Sequence, residues 1–247
     1  MTTRRILATS GGFTATERNE QRVPSGLFLE ALRLSGRERP RVLFVMTATG
    51  DDPARLAMAY QAVSRLSVDA DHLSLFTMPN QPVEEAVGRA DVVWVGGGSV
   101  ANLLALWRLH GVDDALRDAW ERGTVLAGVS AGSICWHVGG PTDSFGPTLQ
   151  VVKTGLGLIP YGNGVHYDSE EQRRPLLQQL VLEGELPTSY ATDDRVGILY
   201  EGTDPVAVLT DVDVDPATGP AAYRVELSGA ADGARIVETR LAPGPLS

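Results

Sequence analysis

The sequence predicts an α/β fold built on a doubly wound, mostly parallel sheet with helices on both faces. Short apolar runs alternate with segments of helical periodicity between residues 5 and 134. These runs are continuous in Val, Leu and Ile, which is typical of parallel strands that are buried on both faces. Strands that alternate with helices imply right-handed crossovers and a layered α/β architecture.

Local signals mark the individual elements. Strands are expected at residues 5–9, 41–46, 73–76, 91–95 and 124–129, and helices at 53–66, 99–109, 112–122 and 170–182. Asp51 or Asp52 caps the first helix ahead of Pro53, and Gly111 and Gly123 end the next two. Short strands and loops follow residue 139. No repeat or linker interrupts the chain, so residues 1–247 are interpreted as one domain.

Composition excludes several classes of function. Lys plus Arg is 21 and Asp plus Glu is 31, a net charge of −10, which argues against a general binder of nucleic acid or anionic membranes. Cys135 is the single cysteine, so neither an intramolecular disulfide nor a metal site on paired thiolates is expected. No apolar run approaches the roughly 18 residues of a membrane span, and no leader is recognised, so a cytoplasmic location is predicted.

The strongest functional signal is the segment Gly-Val-Ser-Ala-Gly at residues 128–132, between an apolar strand and a helical segment. This is the G-x-S-x-G nucleophile elbow in its strand-turn-helix context. The flanking glycines permit a tight turn that presents the Ser130 hydroxyl at the carboxyl edge of the sheet. The Ala131 amide and the positive end of the helix dipole then face a developing oxyanion. The alternative is an ordinary turn in which Ser130 only caps the helix.

A second glycine segment, residues 96–98, ends the strand at 91–95 and opens the next helix. Ligands of doubly wound sheets bind beyond the carboxyl ends of the strands, so this loop is expected beside the elbow, where it supplies a second amide to the oxyanion. Neither phosphate-binding glycine motif is present. A purely structural turn remains the alternative.

A serine nucleophile needs a base, and the chain has four histidines. His72 opens a strand and is expected at the surface, while His110 lies at a helix end. His137 is two turns beyond Ser130 on the same helix and is too far away, at about 1.5 Å per residue, to reach the hydroxyl. His166 lies in a loop before a helix, where catalytic side chains usually lie. Elimination therefore favours His166.

The acid that orients the histidine has several candidates. Asp143, in the loop after the elbow helix, gives the chain order Ser, Asp, His of α/β-hydrolases. Asp168 and Glu170 flank the histidine, and two aspartates follow at residues 193–194. Asp143 alternatively forms only an Asx-turn with the backbone that follows it.

Four segments together resemble the peptidase E family, the aspartyl dipeptidase group of serine peptidases that also includes cyanophycinases. They are residues 95–98 (Val-Gly-Gly-Gly), 128–132, 142–146 (Thr-Asp-Ser-Phe-Gly) and 166–170 (His-Tyr-Asp-Ser-Glu), and the resemblance extends from the first strand to about Tyr200. It implies a flavodoxin-like sheet shared with class I glutamine amidotransferases, with serine in place of their cysteine. It also implies hydrolysis of short peptides, typically dipeptides with an N-terminal aspartate, without metal or cofactor.

The resemblance implies roles for individual residues as well. Ser130 matches the nucleophile, His166 the general base and Asp143 the acid after the elbow, while Gly98 and Ala131 match the oxyanion donors. Further candidates for contact with the substrate are Gly97, Ser99 and Arg173.

One position departs from the family pattern. Aspartyl dipeptidases carry a basic residue just before a Glu-Gln-Arg stretch, where it holds the aspartate of the substrate; here Glu170 stands there. Glu170 is therefore an alternative triad acid, and strict aspartate specificity is not implied. Arg173 and Arg174 are the nearby candidates for binding an acidic side chain.

The sequence thus predicts a serine peptidase that cleaves short peptides through a Ser-His-acid triad and an acyl-enzyme. A cyanophycinase-like or esterase activity is the runner-up among enzymes, and a catalytically silent binding protein of the same fold is the alternative from another class. Neither nucleic acid nor membrane is an expected partner, and a homodimer is one candidate assembly.

Overall fold

A computed structural model describes residues 3–18, 21–212, 215–229 and 233–246, and within these residues the chain forms sixteen strands and seven α-helices. The strands are β1 (Arg5–Thr9), β2 (Phe13–Ala15), β3 (Arg22–Pro24), β4 (Arg41–Val45), β5 (Asp69–Leu73), β6 (Val92–Val95), β7 (Val125–Val129), β8 (Gly140–Thr142), β9 (Gln150–Val152), β10 (Gly162–Gly164), β11 (Ser189–Thr192), β12 (Val196–Glu201), β13 (Asp204–Thr210), β14 (Ala222–Ser228), β15 (Arg235–Leu241) and β16 (Gly244–Pro245). The helices are α1 (Gly26–Leu34), α2 (Pro53–Val63), α3 (Val83–Arg89), α4 (Val100–His110), α5 (Val112–Arg122), α6 (Ala131–Ile134) and α7 (Arg173–Leu182).

The central sheet contains eight strands in the order β16-β13-β12-β1-β7-β6-β4-β5. Five neighbouring strands of this sheet are parallel to one another, namely β1, β7, β6, β4 and β5. The sheet continues beyond β1 with the antiparallel strands β12, β13 and β16. The predicted α/β class with a mostly parallel sheet is therefore confirmed. Because β1 and β7 are neighbours and β6 follows, the carboxyl ends of these three strands meet at one edge.

Both faces of the sheet are covered, and the period-two geometry of each strand divides its residues between two cores. In β1, Ile6 packs into one core and Leu7 into the other. The first core contains the inner faces of α3, α4 and α5 together with Trp107 and Trp136. The second contains residues of α1 and α2 around Trp94. This double burial is why the inner strands β1, β4, β6 and β7 are nearly continuous apolar runs, whereas the edge strand β5 alternates with polar residues.

A second, four-stranded sheet has the order β10-β11-β14-β15, and its strands are interleaved in the chain with the last strands of the central sheet. The helix α7 packs on it and closes a third apolar cluster that includes Tyr167, Leu177 and Val225. The loop between β10 and α7, and the loop after β11, lead from this sheet to the carboxyl edge of β1.

Most of the predicted elements are found within one or two residues of their expected bounds. Asp52 caps α2 by accepting from the Ala54 amide (2.9 Å), and Gly111 and Gly123 end α4 and α5 with left-handed φ angles of 69° and 99°. The strand predicted at residues 73–76 is wrong, because the paired strand is β5 and ends at Leu73. The chain turns there because the Asp51 carboxylate accepts from the amides of Leu75 and Phe76.

The helix predicted at 170–182 begins later, at Arg173, because residues 166–172 form turns. The helices α1 and α3 were not predicted. In the described part of the chain, no helix combines the length and the apolar character that a membrane span requires.

The short helix α6 lies so close to β6 that only glycine fits at its contact. A Cβ atom added at Gly132 would lie 2.3 Å from the Val95 carbonyl oxygen.

We therefore expect Gly132→Ala to lower the free energy of unfolding by about 1–3 kcal/mol through overpacking, measured by urea denaturation. In Gly88→Ala, a matched control in α3, the added Cβ would meet nothing nearer than Arg122 Nη2 at 3.9 Å. That variant should be neutral or more stable, by up to about 1 kcal/mol. Equal denaturation midpoints for the two variants would contradict this packing argument.

Candidate active site

Ser130 occupies a strained turn between β7 and α6. Its φ and ψ angles are 59° and −115°, a region that non-glycine residues rarely adopt and that costs about 1–3 kcal/mol. Hydrogen bonds hold this conformation: the Ser130 amide donates to the Thr9 carbonyl (3.0 Å), and the Ser130 carbonyl accepts from Ser133 N (2.8 Å) and Ile134 N (3.0 Å). The Ser130 side chain makes no capping hydrogen bond to the helix. The hydroxyl is therefore not used to cap α6.

The glycine loop after β6 lies directly against the elbow. A Cβ atom added at Gly97 would lie 3.1 Å from Ser130 Cβ and 3.6 Å from its Oγ. Gly98 has a φ angle of 134°, and a Cβ there would lie 2.3 Å from the Ala48 carbonyl oxygen. Among the described residues, the amides of Gly98 and Ala131 donate to no other group. Two backbone donors, one in the glycine loop and one in the residue after Ser130, are thus left free in the described chain.

His166 lies just after β10 in a loop that fixes both its backbone and its ring. Its φ angle is 53°, its amide donates to the Ser10 hydroxyl (3.0 Å), and its carbonyl accepts from Glu170 N (3.0 Å). The imidazole Nδ1 lies 2.5 Å from Asp194 Oδ1, and the two side chains are 22% and 42% exposed. With Nδ1 engaged, Nε2 is the ring nitrogen left for proton exchange.

Asp194 is the acid that contacts the imidazole, and it comes from the turn after β11. Its amide donates to Asp168 Oδ1 (2.8 Å). The amide of the next residue, Arg195, donates to the Ser10 carbonyl (3.0 Å). This carboxylate belongs to the aspartate pair at residues 193–194, which is one of the candidates for the acid in the sequence.

The elbow and the histidine loop are joined through their anchors. Ser130 is hydrogen-bonded to Thr9 and His166 to Ser10, which are consecutive residues at the end of β1. Val129, Gly97, Gly98 and His166 also line a common cavity of about 440 Å³. No hydrogen bond joins the hydroxyl to the imidazole within the described residues. Contacts of this kind are often long without substrate and tighten when it binds.

The other predicted site residues have different surroundings. Asp143 is exposed in a turn closed by Gly146 N and Asp143 O (3.1 Å), and no hydrogen bond links its carboxylate to His166 in the described chain. Glu170 pairs with Arg173 (2.6 Å), whose side chain is only 3% exposed and also donates to the Pro141 carbonyl. The Ser99 hydroxyl caps α4 by accepting from Asn102 N (3.2 Å).

The remaining candidates for nucleophile and base are structural. His137 is fully buried, with its ring nitrogens near the Ser133 carbonyl (2.9 Å) and the Tyr200 hydroxyl (3.3 Å). Cys135 is buried too, and burial raises the pKa of its thiol well above the ordinary range, so the thiolate is disfavoured. His72 contacts the Tyr60 hydroxyl (2.9 Å), and His110 ends α4.

The α/β fold and the strand-to-helix turn at Ser130 are typical of a class, the serine hydrolases of α/β architecture. Comparison with known proteins narrows this class, because the model of peptidase family S51 matches residues 6–207. The chain belongs to peptidase family S51 and is a serine-type peptidase, which confirms the resemblance to peptidase E.

Individual relatives agree with this assignment. The chain is 37% identical over 227 residues to the uncharacterized peptidase YgaJ of Bacillus subtilis (strain 168), covering 91% of this chain and 93% of that protein. Its fold is similar to a peptidase from an acI-B1 Actinobacterium, with a TM-score of 0.70, 17% identity, and coverage of 99% and 97%. It is also similar to a candidate peptidase E of Listeria monocytogenes EGD-e, with a TM-score of 0.61, 17% identity, and coverage of 86% and 100%.

The burial of His137 has a consequence for pH dependence. Burial lowers the pKa of His137 from 6.5 to about 4, and the hydrogen bond to the Ser133 carbonyl opposes this only in part. The unfolded chain therefore binds a proton here below pH 6.5, whereas the folded chain does so only near pH 4. The neutral His137 ring therefore makes its full contribution to the free energy of unfolding above pH 6.5. As the pH falls towards 4, that contribution decreases by about 1.4 kcal/mol per pH unit.

We expect the ring protons of His137, followed by NMR, to keep constant chemical shifts from pH 8 to pH 5. The signal is assigned by its loss in His137→Asn. In urea-unfolded protein the same ring should titrate near pH 6.5. A midpoint near 6.5 in the folded protein would show that the ring is not shielded from solvent.

Proposed function

We propose that the protein hydrolyses short peptides with Ser130 as nucleophile, His166 as general base and Asp194 as the acid that orients the imidazole. The contact between His166 Nδ1 and Asp194 Oδ1, at 2.5 Å, is the observation that carries this proposal. It supplies a base in a defined orientation, in a loop anchored next to the residue that anchors the elbow.

The reaction follows from these positions in two steps. His166 takes the proton of the Ser130 hydroxyl as the oxygen attacks the peptide carbonyl carbon, and the negative charge develops on the carbonyl oxygen. The amides of Gly98 and Ala131 bind that oxygen. His166 then donates its proton to the departing nitrogen, the C–N bond breaks, and an acyl-Ser130 ester remains. Water attacks the ester through the same base and releases the acid.

Asp194 is preferred to Asp143 and Glu170 because of the partners each carboxylate has. Glu170 balances the charge of the buried Arg173 guanidinium, and removing it would leave that charge uncompensated. Asp143 is exposed on a turn. Asp194 alone of the three has its carboxylate at the imidazole.

The narrower expectation, cleavage of dipeptides with an N-terminal aspartate, stays a prediction. Arg173 is engaged by Glu170 and the Pro141 carbonyl, which argues against its binding a substrate carboxylate. The cytoplasmic location, the homodimer, the single-domain organisation and the absence of nucleic-acid binding likewise stay predictions from the sequence.

The nucleophile is tested by Ser130→Ala. We expect loss of peptide hydrolysis by a factor on the order of 10⁶ and loss of labelling by a fluorophosphonate probe. The exposed Ser169→Ala, in the histidine loop, is the matched control and should label as the wild type does. Labelling of Ser130→Ala, or its hydrolysis of peptides at the wild-type rate, would assign the nucleophile to another residue.

The acid is tested by three amide substitutions. Asp194→Asn should lower kcat by a factor on the order of 10³–10⁴, because the amide no longer fixes the tautomer or stabilises the imidazolium. Asp143→Asn should stay within a few-fold of wild type in kcat. Glu170→Gln should lower the free energy of unfolding, because it removes the carboxylate that pairs with the buried Arg173. Its kcat should stay near the wild-type value at temperatures below the melting transition. A larger loss of kcat in either of these two than in Asp194→Asn would transfer the role to that residue.

The substrate class is tested with a panel of Asp-X, Glu-X, Ala-X and Leu-X dipeptides, together with simple esters and a cyanophycin-type peptide. Cleavage confined to the last two substrates would favour the cyanophycinase-like or esterase alternative. A protein that neither cleaves any substrate nor reacts with the fluorophosphonate would be the silent binding protein.

A further inference from the structure

The cavity that Gly97, Val129 and His166 line is also lined by residues of the β2–β3 hairpin and α2. Its volume of about 440 Å³ is within the usual range for small-molecule sites. Apolar side chains make up much of its lining, among them Phe13, Met46 and Met58. The buried Trp94 ring forms the floor, and Phe13 meets it edge-on at a centroid distance of 5.8 Å.

Two arginines supply positive charge to this lining. Arg22 comes from β3 and Arg55 from α2, two elements that contact each other. Both are exposed residues that line the cavity. No aspartate or glutamate is present among the described residues that line it, although the whole chain carries a net charge of −10. The cavity thus combines an apolar lining with positive charge.

We propose that this cavity binds the C-terminal, leaving part of a short peptide, with its apolar side chain on Phe13, Met46 and Met58 and its free α-carboxylate on Arg22 and Arg55. The inference rests on the proposed peptidase function and specifies its substrate class. Guanidinium groups bind carboxylates with two parallel hydrogen bonds, so a pair of arginines is suited to a chain terminus.

The reaction supports the same orientation. His166 lines this cavity, and in the proposed mechanism it donates the proton to the departing nitrogen. The departing nitrogen belongs to the C-terminal part of the peptide. The group that His166 protonates therefore lies at this cavity, whose lining also includes the apolar side chains and both arginines that would receive the leaving peptide.

The N-terminal part of a peptide fits the cavity poorly. An N-terminal residue, acidic or apolar, carries an α-ammonium group, which requires a carboxylate or several carbonyl acceptors. The charged side chains that line the described cavity are arginines, which repel it. The N-terminal residue is accordingly assigned to the open side of the elbow.

The test compares free acids with amides of the same peptides, Ala-Leu with Ala-Leu amide and Ala-Ala-Leu with Ala-Ala-Leu amide. We expect the wild-type protein to prefer the free acid by roughly tenfold to a hundredfold in kcat/KM, mainly through a lower KM. A factor of this size corresponds to one charge-assisted hydrogen bond. In the double variant Arg22→Gln, Arg55→Gln this acid-to-amide ratio should fall to about one. The control Arg65→Gln, an exposed arginine just after α2 and outside the cavity, should keep the wild-type ratio.

A second comparison tests the apolar lining. Ala-Leu and Ala-Phe should be cleaved with a higher kcat/KM than Ala-Gly and Ala-Asp. Equal cleavage of acid and amide by the wild type would overturn the inference without any variant, as would an unchanged ratio in the double variant.

Failure of the inference is distinguishable from failure of the function. If Ser130 reacts with the fluorophosphonate and peptides are cleaved without preference for a free carboxylate, the peptidase function is supported and the arginine site is contradicted. If Ser130 does not react and no peptide is cleaved, both fall.

Discussion

The site depends on the hydrogen bonds at the carboxyl end of β1, where Thr9 and Ser10 connect the two halves of the chain. The Thr9 carbonyl accepts from the Ser130 amide at 3.0 Å, and the Ser10 hydroxyl accepts from the His166 amide at 3.0 Å. Ser10 is 4% exposed, and its hydroxyl also lies 2.7 Å from Thr192 Oγ1, at the end of β11. A single dipeptide therefore fixes the elbow, the histidine loop and the strand that leads to Asp194.

This arrangement explains how the chain maintains several unfavourable backbone conformations in one place. Ser130, His166 and Arg195 all have positive φ angles, between 53° and 68°. Each costs of order 1–3 kcal/mol and persists only where the surroundings impose it. All three are hydrogen-bonded through their amides to Thr9 or Ser10. A buried donor or acceptor left without its partner would cost a similar amount, so the strain and the bonds that hold it are matched locally.

The parallel core and the elbow were predictable from sequence because their signals are local. Apolar runs, the caps Asp52, Gly111 and Gly123, and the glycines on either side of Ser130 each act within a few residues of the structure they specify. The misplaced strand at 73–76 shows the limit of such signals. Leu75 is buried, but it is buried in a turn held by the Asp51 carboxylate, 24 residues away.

The contact of Asp194 with His166 likewise has no local signal in the sequence. Its carboxylate meets His166 across 28 residues, and no spacing in the sequence encodes that contact. The available signal was topological: residues 193–194 follow a strand whose end approaches β1, and acids in that position face the same edge as the elbow. The sequence instead offers Asp143, through the chain order of α/β-hydrolases, and Glu170, through its closeness to His166 in the chain.

The charges around the site show why one acidic substitution need not remove all recognition of carboxylates. At the position where the family resemblance implies a basic residue, Glu170 pairs with Arg173, whose guanidinium is turned inward and is 3% exposed. A buried arginine without that partner would be strongly destabilising, so this pair serves the start of α7 rather than the substrate. Positive charge is instead present across the cavity, on β3 and α2, where Arg22 and Arg55 remain in contact with solvent. Unlike Arg173, these two arginines are exposed and need not break a buried ion pair before they contact a carboxylate. Binding costs them only the loss of their hydration. The proposed carboxylate site thus lies on the hairpin and α2, elements distant in sequence from Ser130 and His166.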